Sequence, residues 1–486
     1  MKTFLSLFLL IIFFGIYSST SRAEDQCFVC HEAIGGAEVE LYKKDIHFKK
    51  GISCSGCHGG NSKSEDMEVA MSKANGFVGK IKGDQISLAC SKCHSDKEMM
   101  KKYGSSLPTN QFEQLQKSVH GKLSISGKEK ILQCITCHNA HGIVSTKNAA
   151  SPVYSLNIPK LCSQCHSSAV YMRSYNPSLP IDQYEKYLTS YHGILNRKGD
   201  PKTAECASCH GSHDILGAKD VNSKVYPINI PATCAHCHSD KEYMKSYKIP
   251  TDQFEKFSVS VHGVALLKKN DIGAPACNSC HGNHAATPPG VESISKVCGT
   301  CHALNAELFS TSPHKKAFDE QNLPECETCH GNHEIITASD KLLGITPEAV
   351  CSKCHTNEKN QKGFSSGKFM RVLIDSLTAQ EIHSKDLVDQ AEQKGMEIAE
   401  AKFKLRDIHQ AKLEARTMVH SFDESKYKSV IDKGFAASSF VNAEAQGAID
   451  EFYFRRYGLV VSILVISLLA LSLFLYIRRI EAKKKN

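Results

Sequence analysis

The sequence predicts a mainly α-helical protein with little regular structure through most of its length. Repeated modules are expected to pack around covalently held groups, followed by a long helix and one transmembrane helix. Three observations carry this expectation. Cysteine and histidine recur in one short pattern, whole segments repeat around that pattern, and after residue 355 the pattern gives way to a helix-forming composition.

Met1-Lys2 opens the chain, an apolar run from Phe4 to Tyr17 follows, and a polar stretch ends in Ser21-Arg22-Ala23. A short apolar core before a small-x-small site is a secretory signal peptide, assigned to residues 1–23. The domain of repeated modules is assigned to residues 24–375.

The recurring pattern is Cys-x-x-Cys-His. Its copies are Cys27/Cys30/His31, Cys54/Cys57/His58, Cys90/Cys93/His94, Cys134/Cys137/His138, Cys162/Cys165/His166, Cys206/Cys209/His210, Cys234/Cys237/His238, Cys277/Cys280/His281, Cys298/Cys301/His302, Cys326/Cys329/His330 and Cys351/Cys354/His355. These eleven copies use all 22 cysteines. This is the attachment signature of c-type haem: two thiols bind the porphyrin and the adjacent His ligates iron from one face. Structural zinc would need the thiol pairs but leaves eleven histidines without a role. A disulfide across two residues would be strained and labile. The expected cofactor is therefore eleven covalent haems c. The motif-rich stretch has no Trp and few long apolar runs, so porphyrin rings are expected to fill the interior.

The segments around the motifs repeat. Pro108-Thr109-Asn110-Gln111-Phe112-Glu113, Pro180-Ile181-Asp182-Gln183-Tyr184-Glu185 and Pro250-Thr251-Asp252-Gln253-Phe254-Glu255 each lead to a His-Gly pair, at His120, His192 and His262. Asn110, Asp182 and Asp252 read as N-caps with Glu at N3, a capping box. The glycine reads as a C-terminal cap, so each His should end a helix of about three turns. Histidines also lie three residues past a motif His, at His141, His213, His284 and His333; the first such position holds Asn61. Such a His cannot easily reach the far face of its own haem, and is better placed for a neighbouring one. Met99, Met172 and Met244 recur as candidates for packing on porphyrin faces.

The motifs thus fall into pairs, beginning at Cys54/Cys90, Cys134/Cys162, Cys206/Cys234, Cys277/Cys298 and Cys326/Cys351. Cys27 leads alone, and His47, His120, His192, His262 and His314 precede the pairs. Over residues 27–355 this resembles the doubled-motif multihaem cytochromes c related to the tetrahaem class III cytochromes, and the resemblance implies electron transfer. Of 24 histidines, eleven are proximal. The five upstream and four plus-three histidines supply nine distal ligands, and the last two are sought among His236, His383, His409 and His420, with His409 and His420 assigned.

From Thr378 to Val419 there is no Pro and one Gly, which reads as one helix, about 60 Å long if continuous. His409 and His420 would share a face of it. These His-bearing helices resemble those of hydroxylamine oxidoreductases and pentahaem nitrite reductases. The helical segment is assigned to residues 376–456, with a second helix from about Ser438 to Arg456 leading into a span at 457–477. Gly458 to Ile477 is free of charge and long enough to cross a bilayer. Arg478, Arg479, Lys483, Lys484 and Lys485 place the 478–486 tail in the cytoplasm.

The net charge of +8 contains two basic residues of the signal and a net +4 of the tail, leaving +2 for the exported part. Haem propionates would make that part acidic, which argues against nucleic acid as a partner. No catalytic residue is assigned. The expected function is electron conduction by a single-pass inner-membrane protein with a periplasmic haem domain. Its expected partners are periplasmic cytochromes and a quinol-oxidising b-type cytochrome or iron–sulfur subunit. The alternative is an oxidoreductase that handles a small nitrogen or sulfur compound at one five-coordinate haem. Intact mass and a pyridine haemochrome assay should count eleven haems and no titratable thiol; bound zinc or excess thiol contradicts the assignment.

Overall fold

The computed structural model describes residues 25–124, 126–288 and 294–485. The signal peptide assigned to residues 1–23 lies outside them. The described residues are mainly helical and contain no strand, only an isolated antiparallel bridge between Leu123 and Lys130. The chain divides into two compact units. One holds the residues up to Cys237 together with Cys277–Thr287, and the other holds His238–Ala276 and the chain from Pro288 onward.

The first unit is built from helices of about one to three turns joined by loops. Its buried apolar side chains, among the described residues, are Met100, Met172 and Tyr187. So little buried apolar area cannot offset the entropy of ordering so long a chain. Something besides side chains must fill the interior. Met100 and Met172, with Met244 of the second unit, lie seven residues past the second cysteine of their motifs, and all three are buried. The copy in the first module is therefore Met100 and not Met99, which is half-buried.

The second unit contains an ordinary core. Three helices form it: α1 (Gln361–Gln393), α2 (Ala399–Met418) and α3 (Glu424–Lys485). Buried residues recur at three- and four-residue steps, as at Met370, Ile374, Leu377, Ser384, Val388 and Ala391 on α1. Ile408, Ala411 and Ala415 on α2 and Tyr427, Ile431, Val441 and Ala445 on α3 meet them. Tyr427 is fully buried and its hydroxyl donates to the Met370 carbonyl at 3.1 Å.

The continuous helix expected from Thr378 to Val419 is instead two helices. Gly395 has φ +73°, its amide donates to Glu392 O, and the Met396 amide donates to Ala391 O. That is a Schellman stop, and Met396 closes it by packing against the core. The single glycine that seemed tolerable within a helix is its end. A three-residue 3-10 segment, Val419–Ser421, separates α2 from α3, so His420 is not on the helix that carries His409.

The second expected helix begins earlier than Ser438, at Glu424, and does run on through the apolar stretch. At 62 residues α3 is about 93 Å long. It is the one helix among the described residues long and apolar enough to cross a membrane, and its apolar stretch is covered by nothing in the structure.

Asp340 joins the loop between the last motifs to the helices. Its carboxylate accepts two bonds from Arg416, both at 2.8 Å, while Arg371 donates to the Asp340 carbonyl at 2.9 Å. The Arg416 guanidinium holds the Asp340 carboxyl below its usual range. A lowered folded-state value means stability present above the unfolded value and lost as pH falls through the folded one. Arg416 is partly solvent-exposed, so the charge interaction is screened. Arg416→Ala should cost about 1–2 kcal/mol at neutral pH, and the difference from wild type should shrink as pH is lowered below the carboxylate range. Thermal unfolding in detergent at both pH values checks this; a pH-independent difference would mean the charge pair contributes nothing.

Candidate axial-ligand pairs and the repeat that positions them

Five of the motifs form a short helix that the chain leaves at once. They are Ser55–His58, Cys134–His138, Cys206–His210, Cys277–His281 and Glu325–His330. The next residue takes positive φ in every copy: Gly59 (+68°), Asn139 (+67°), Gly211 (+85°), Gly282 (+83°) and Gly331 (+79°). Glycine, or asparagine once, is what this backbone admits. The turn sends the chain away from the motif and toward the plus-three histidine. The second motif of the first three pairs is different. It ends a longer helix, Gln85–His94, Ile158–His166 and Ile230–His238.

Imidazoles face one another in two series. The upstream histidine of a module faces its second motif: His47 with His94 (6.0 Å between ring centres), His120 with His166 (6.2 Å), His262 with His302 (6.3 Å) and His314 with His355 (5.8 Å). The first motif of a module instead faces the plus-three histidine of the next module. His58 meets His141 at 6.2 Å, and His138–His213 and His210–His284 each stand at 6.1 Å. The first-motif His330 of the last module has no further module to meet. His420 takes that place at 6.1 Å, supplied by the segment between α2 and α3. His192, His238, His281 and His333 hold the corresponding positions by sequence register, and each has interactions of its own.

The two series differ in ring orientation. Rings of the first are inclined by 32–87°, those of the second by 9–22°. Burial, and then the neighbouring imidazole, pushes His94, His138 and His210 down, and His120 to about 4. A ligating imidazole must be neutral, and the site favours that form. Where Nδ1 is bonded, Nε2 is left for a ligand: His58 Nδ1 faces Gly79 O at 2.8 Å, His420 Nδ1 faces Thr417 O at 2.9 Å, and His47 Nδ1 faces Asp45 at 2.8 Å.

The upstream histidines are positioned differently from the expectation. The helices Gln111–Lys117, Gln183–Thr189 and Gln253–Val259 form, but the capping boxes do not: Asn110, Asp182 and Asp252 make no side-chain cap bond. Asp182 and Asp252 instead pair with Lys186 and Lys256 one turn on. These helices end before the histidine, at Ser118, Ser190 and Ser260, each extended and nearly fully buried. Each serine hydroxyl donates to the carbonyl three residues back, at 2.6–2.7 Å, and accepts from the glycine amide three residues on, at 2.9–3.1 Å. The serine thus closes one turn and starts the next. The histidine lies within that next turn, and the glycine is not a C-terminal cap. A Cβ on Gly121, Gly193 or Gly263 would sit 1.8–1.9 Å from a backbone carbonyl, so only glycine fits. Ser312 before His314 and Asp45 before His47 hold the same place. This Ser/Asp-x-His signature was present in the sequence and is the signal that the capping argument passed over.

A backbone bond locks consecutive modules together. The amide just before each upstream histidine donates to the carbonyl two residues past the next module's plus-three histidine. The bonds are Ile46 to Ile143 (2.7 Å), Val119 to Ile215 (2.8 Å), Tyr191 to Ala286 (3.0 Å) and Val261 to Ile335 (2.8 Å). In the last module that amide is replaced by Pro313, which cannot donate. There the Phe422 ring stacks on His314 instead, with ring centres 3.8 Å apart.

The motif cysteines stand next to one another in chain order. None is in a disulfide. Cys90 bonds Cys134, Cys162 bonds Cys206, Cys234 bonds Cys277 and Cys298 bonds Cys326, and within modules Cys57 is in electrostatic reach of Cys93 and Cys329 of Cys351. Among the described residues no group of three or more His, Cys, Asp or Glu side chains gathers as a metal cage.

The motif cysteines differ in exposure. The first cysteine of every motif is half-buried, but six second cysteines are exposed: Cys30, Cys57, Cys209, Cys280, Cys301 and Cys354. Cys57, Cys209 and Cys280 lie in the last turn of a short helix, two residues before the positive-φ glycine, whereas Cys137 and Cys329 at the same place in their helices are half-buried. Cys301 and Cys354 lie beyond helical segments that stop short of them, at Gly299 and Lys353. Cys30 lies on the helix Gln26–Ile34, which buries no residue. Cys93, Cys165 and Cys237, by contrast, sit inside longer helices and are half-buried. The exposed thiols keep contact with their neighbours. Thr300 donates to Cys301 Sγ at 3.8 Å, Cys280 acts on Cys277, and Cys354 acts on Cys329.

Haem fits this geometry. Two metal–nitrogen bonds of about 2 Å and two imidazole radii of roughly 1 Å put ring centres about 6 Å apart across one iron. Of the last two distal assignments, His420 faces a motif histidine. His409 does not: it is exposed, and its Nδ1 bonds Glu381 at 2.8 Å beside Lys412. His236 and His383 are exposed, and neither faces a motif histidine among the described residues.

Comparison with known proteins agrees with the chemistry of the motif. Residues 46–169 match the family described as cytochrome c3. Over 303 residues the chain is 20% identical to a protein of Geobacter sulfurreducens described as the C-type polyheme cytochrome OmcC. The match takes in 54% of this chain and 37% of that protein's length. No solved structure matches. Both matches are to c-type cytochromes, the class the motifs indicate.

Gly121→Ala and Gly263→Ala should each displace one upstream histidine and turn one haem from low spin to high spin. Electron paramagnetic resonance of the holoprotein checks this. An unchanged low-spin spectrum in both variants would show that the serine–glycine turn does not position the ligand.

Proposed function

We propose that this chain is a membrane-tethered undecahaem cytochrome c that conducts electrons. It would run between a quinol-oxidising partner in the inner membrane and periplasmic or outer-membrane acceptors. The observation that carries the reading is the repeated alternation, in sequence order, of neighbouring motif thiols and facing imidazoles about 6 Å apart. Each motif's cysteines would hold one haem c and its histidine one axial position. The second axial positions fall to His47, His120, His192, His262 and His314 for the second motifs, and to His141, His213, His284, His333 and His420 for the first motifs.

Haem c supplies reversible one-electron chemistry. The chain's own contribution is placement. The thiols fix each ring, the facing imidazoles close both iron faces against substrates, and the locking backbone bonds hold successive rings at set spacing. Buried methionines such as Met172 and Met244 would cover ring faces.

The apolar stretch of α3 supports anchoring by length and composition. Arg455 and Arg456 before it and five basic residues after it would flank the bilayer, with the larger cluster on the cytoplasmic side. The span holds no histidine and no charge between Gly458 and Ile477, so it offers neither a haem ligand nor a proton site. A separate subunit, a b-type cytochrome or an iron–sulfur protein, would therefore receive electrons from quinol.

Deleting residues 457–486 should release a soluble protein with an intact haem spectrum that quinol in membranes no longer reduces. Fast reduction of the purified full-length protein by a menaquinol analogue would remove the need for a separate partner.

A further inference from the structure

The Cys27 motif differs from the other ten. Its environment identifies its role. Cys27 lies beside Cys54, with Asp25 between them: Asp25 bonds Cys27 and accepts from the Cys54 amide at 3.3 Å. The same motif positions, first cysteine beside first cysteine, meet at Cys90 and Cys134, Cys162 and Cys206, and Cys298 and Cys326, there by a direct thiol–thiol hydrogen bond where Asp25 intervenes between Cys27 and Cys54. The Cys27 motif is therefore a second motif, the kind whose histidine is faced by a Ser/Asp-x-His turn. Every such turn among the described residues is taken. His47 faces His94, His120 faces His166, His262 faces His302 and His314 faces His355, while His192 has interactions of its own. The plus-three position of the module next to Cys27 holds Asn61, and its side chain accepts from the Lys63 amide.

His31 is exposed, and among the described residues no imidazole faces it. The histidines outside both series are not directed there either. His409 is bonded to Glu381, and His236 and His383 point to solvent from their helices. What lies beside His31 is apolar and aromatic. Phe28 packs on Phe48 with ring centres 5.0 Å apart, Tyr42 packs on Phe48 at 5.4 Å, and Ile34 is 79% exposed. Such a floor can seat one porphyrin face, and its one polar atom, the Tyr42 hydroxyl, is engaged by the Ile52 carbonyl.

We infer that the haem held by Cys27, Cys30 and His31 keeps an exchangeable sixth position, which takes a small axial ligand through a nitrogen, oxygen or carbon donor. This rests on the haem reading proposed above. It makes the N-terminal haem the one member of the series open to chemistry, while the facing imidazoles close the other ten irons.

Carbon monoxide is the probe for the reduced holoprotein and cyanide for the oxidised one. The expected result is one carbon monoxide bound per eleven haems, with one high-spin ferric signal that cyanide converts to low spin. In the double variant Cys27→Ser/Cys30→Ser, a pyridine haemochrome assay should count ten haems, the low-spin signals should be unchanged, and carbon monoxide binding should be lost. Wild type that is wholly low-spin and binds no carbon monoxide overturns the inference, as does carbon monoxide binding that persists in the double variant. The haem reading itself fails by a separate measure, a wild-type haemochrome count far below eleven.

Discussion

The structure depends on one backbone contact repeated along the chain. The amide before each upstream histidine donates to a carbonyl two residues past the plus-three histidine of the following module. Each such bond joins two segments far apart in sequence. It fixes how far one module stands from the next. Because the two bonded segments carry distal histidines of different series, the same bond sets the spacing of two candidate irons at once. Its partner is the Ser/Asp-x-His turn, whose serine satisfies both the end of one helix and the start of the next turn. The glycine after the histidine lets those two turns touch.

This arrangement explains why modules are not independent. A first motif receives its facing imidazole from the module that follows, so no single module is complete. The last module would be left open by the same rule. The chain closes it with a different device, the 3-10 segment between α2 and α3, which presents His420 to His330. At the same end Pro313 removes the locking amide and Phe422, at φ +50°, covers His314. The three-helix bundle is thus more than a stalk for the apolar span: it ends the repeat.

The two units contrast in what holds them. In the second, Ile374, Leu377, Ile408, Tyr427, Ile431 and Val441 form an apolar core of the usual kind. In the first, buried apolar side chains are few, and the order of the chain must come from what the cysteines and histidines hold. Ring inclination sorts the facing pairs into a nearly parallel and an inclined series. This follows from the two ways a histidine is delivered, from a turn after a motif or from a turn after a serine.

The sequence alone determined the chemistry: eleven copies of Cys-x-x-Cys-His leave no cysteine over, and a motif of adjacent residues needs no tertiary information to be read. The helical class, the histidines at 47, 120, 262 and 314 and at 141, 213 and 284 that come to face motif histidines, and the C-terminal apolar stretch were legible for the same reason, since each is local. Which histidine faces which was decided only in three dimensions, because the first motif and its partner are separated by a whole module. Which thiols lie at the surface was decided there too: Cys280 is exposed while Cys137 and Cys329, at the same place in the motif, are half-buried. His409 looked equivalent to His420 by helical spacing, but the Schellman turn at Gly395 and the break at Val419 put them on different segments. Glu381 then claimed His409. The role of the glycine in Ser-x-His-Gly was likewise out of reach, because a steric limit of 1.8 Å to a carbonyl six residues back exists only once the chain has turned on itself.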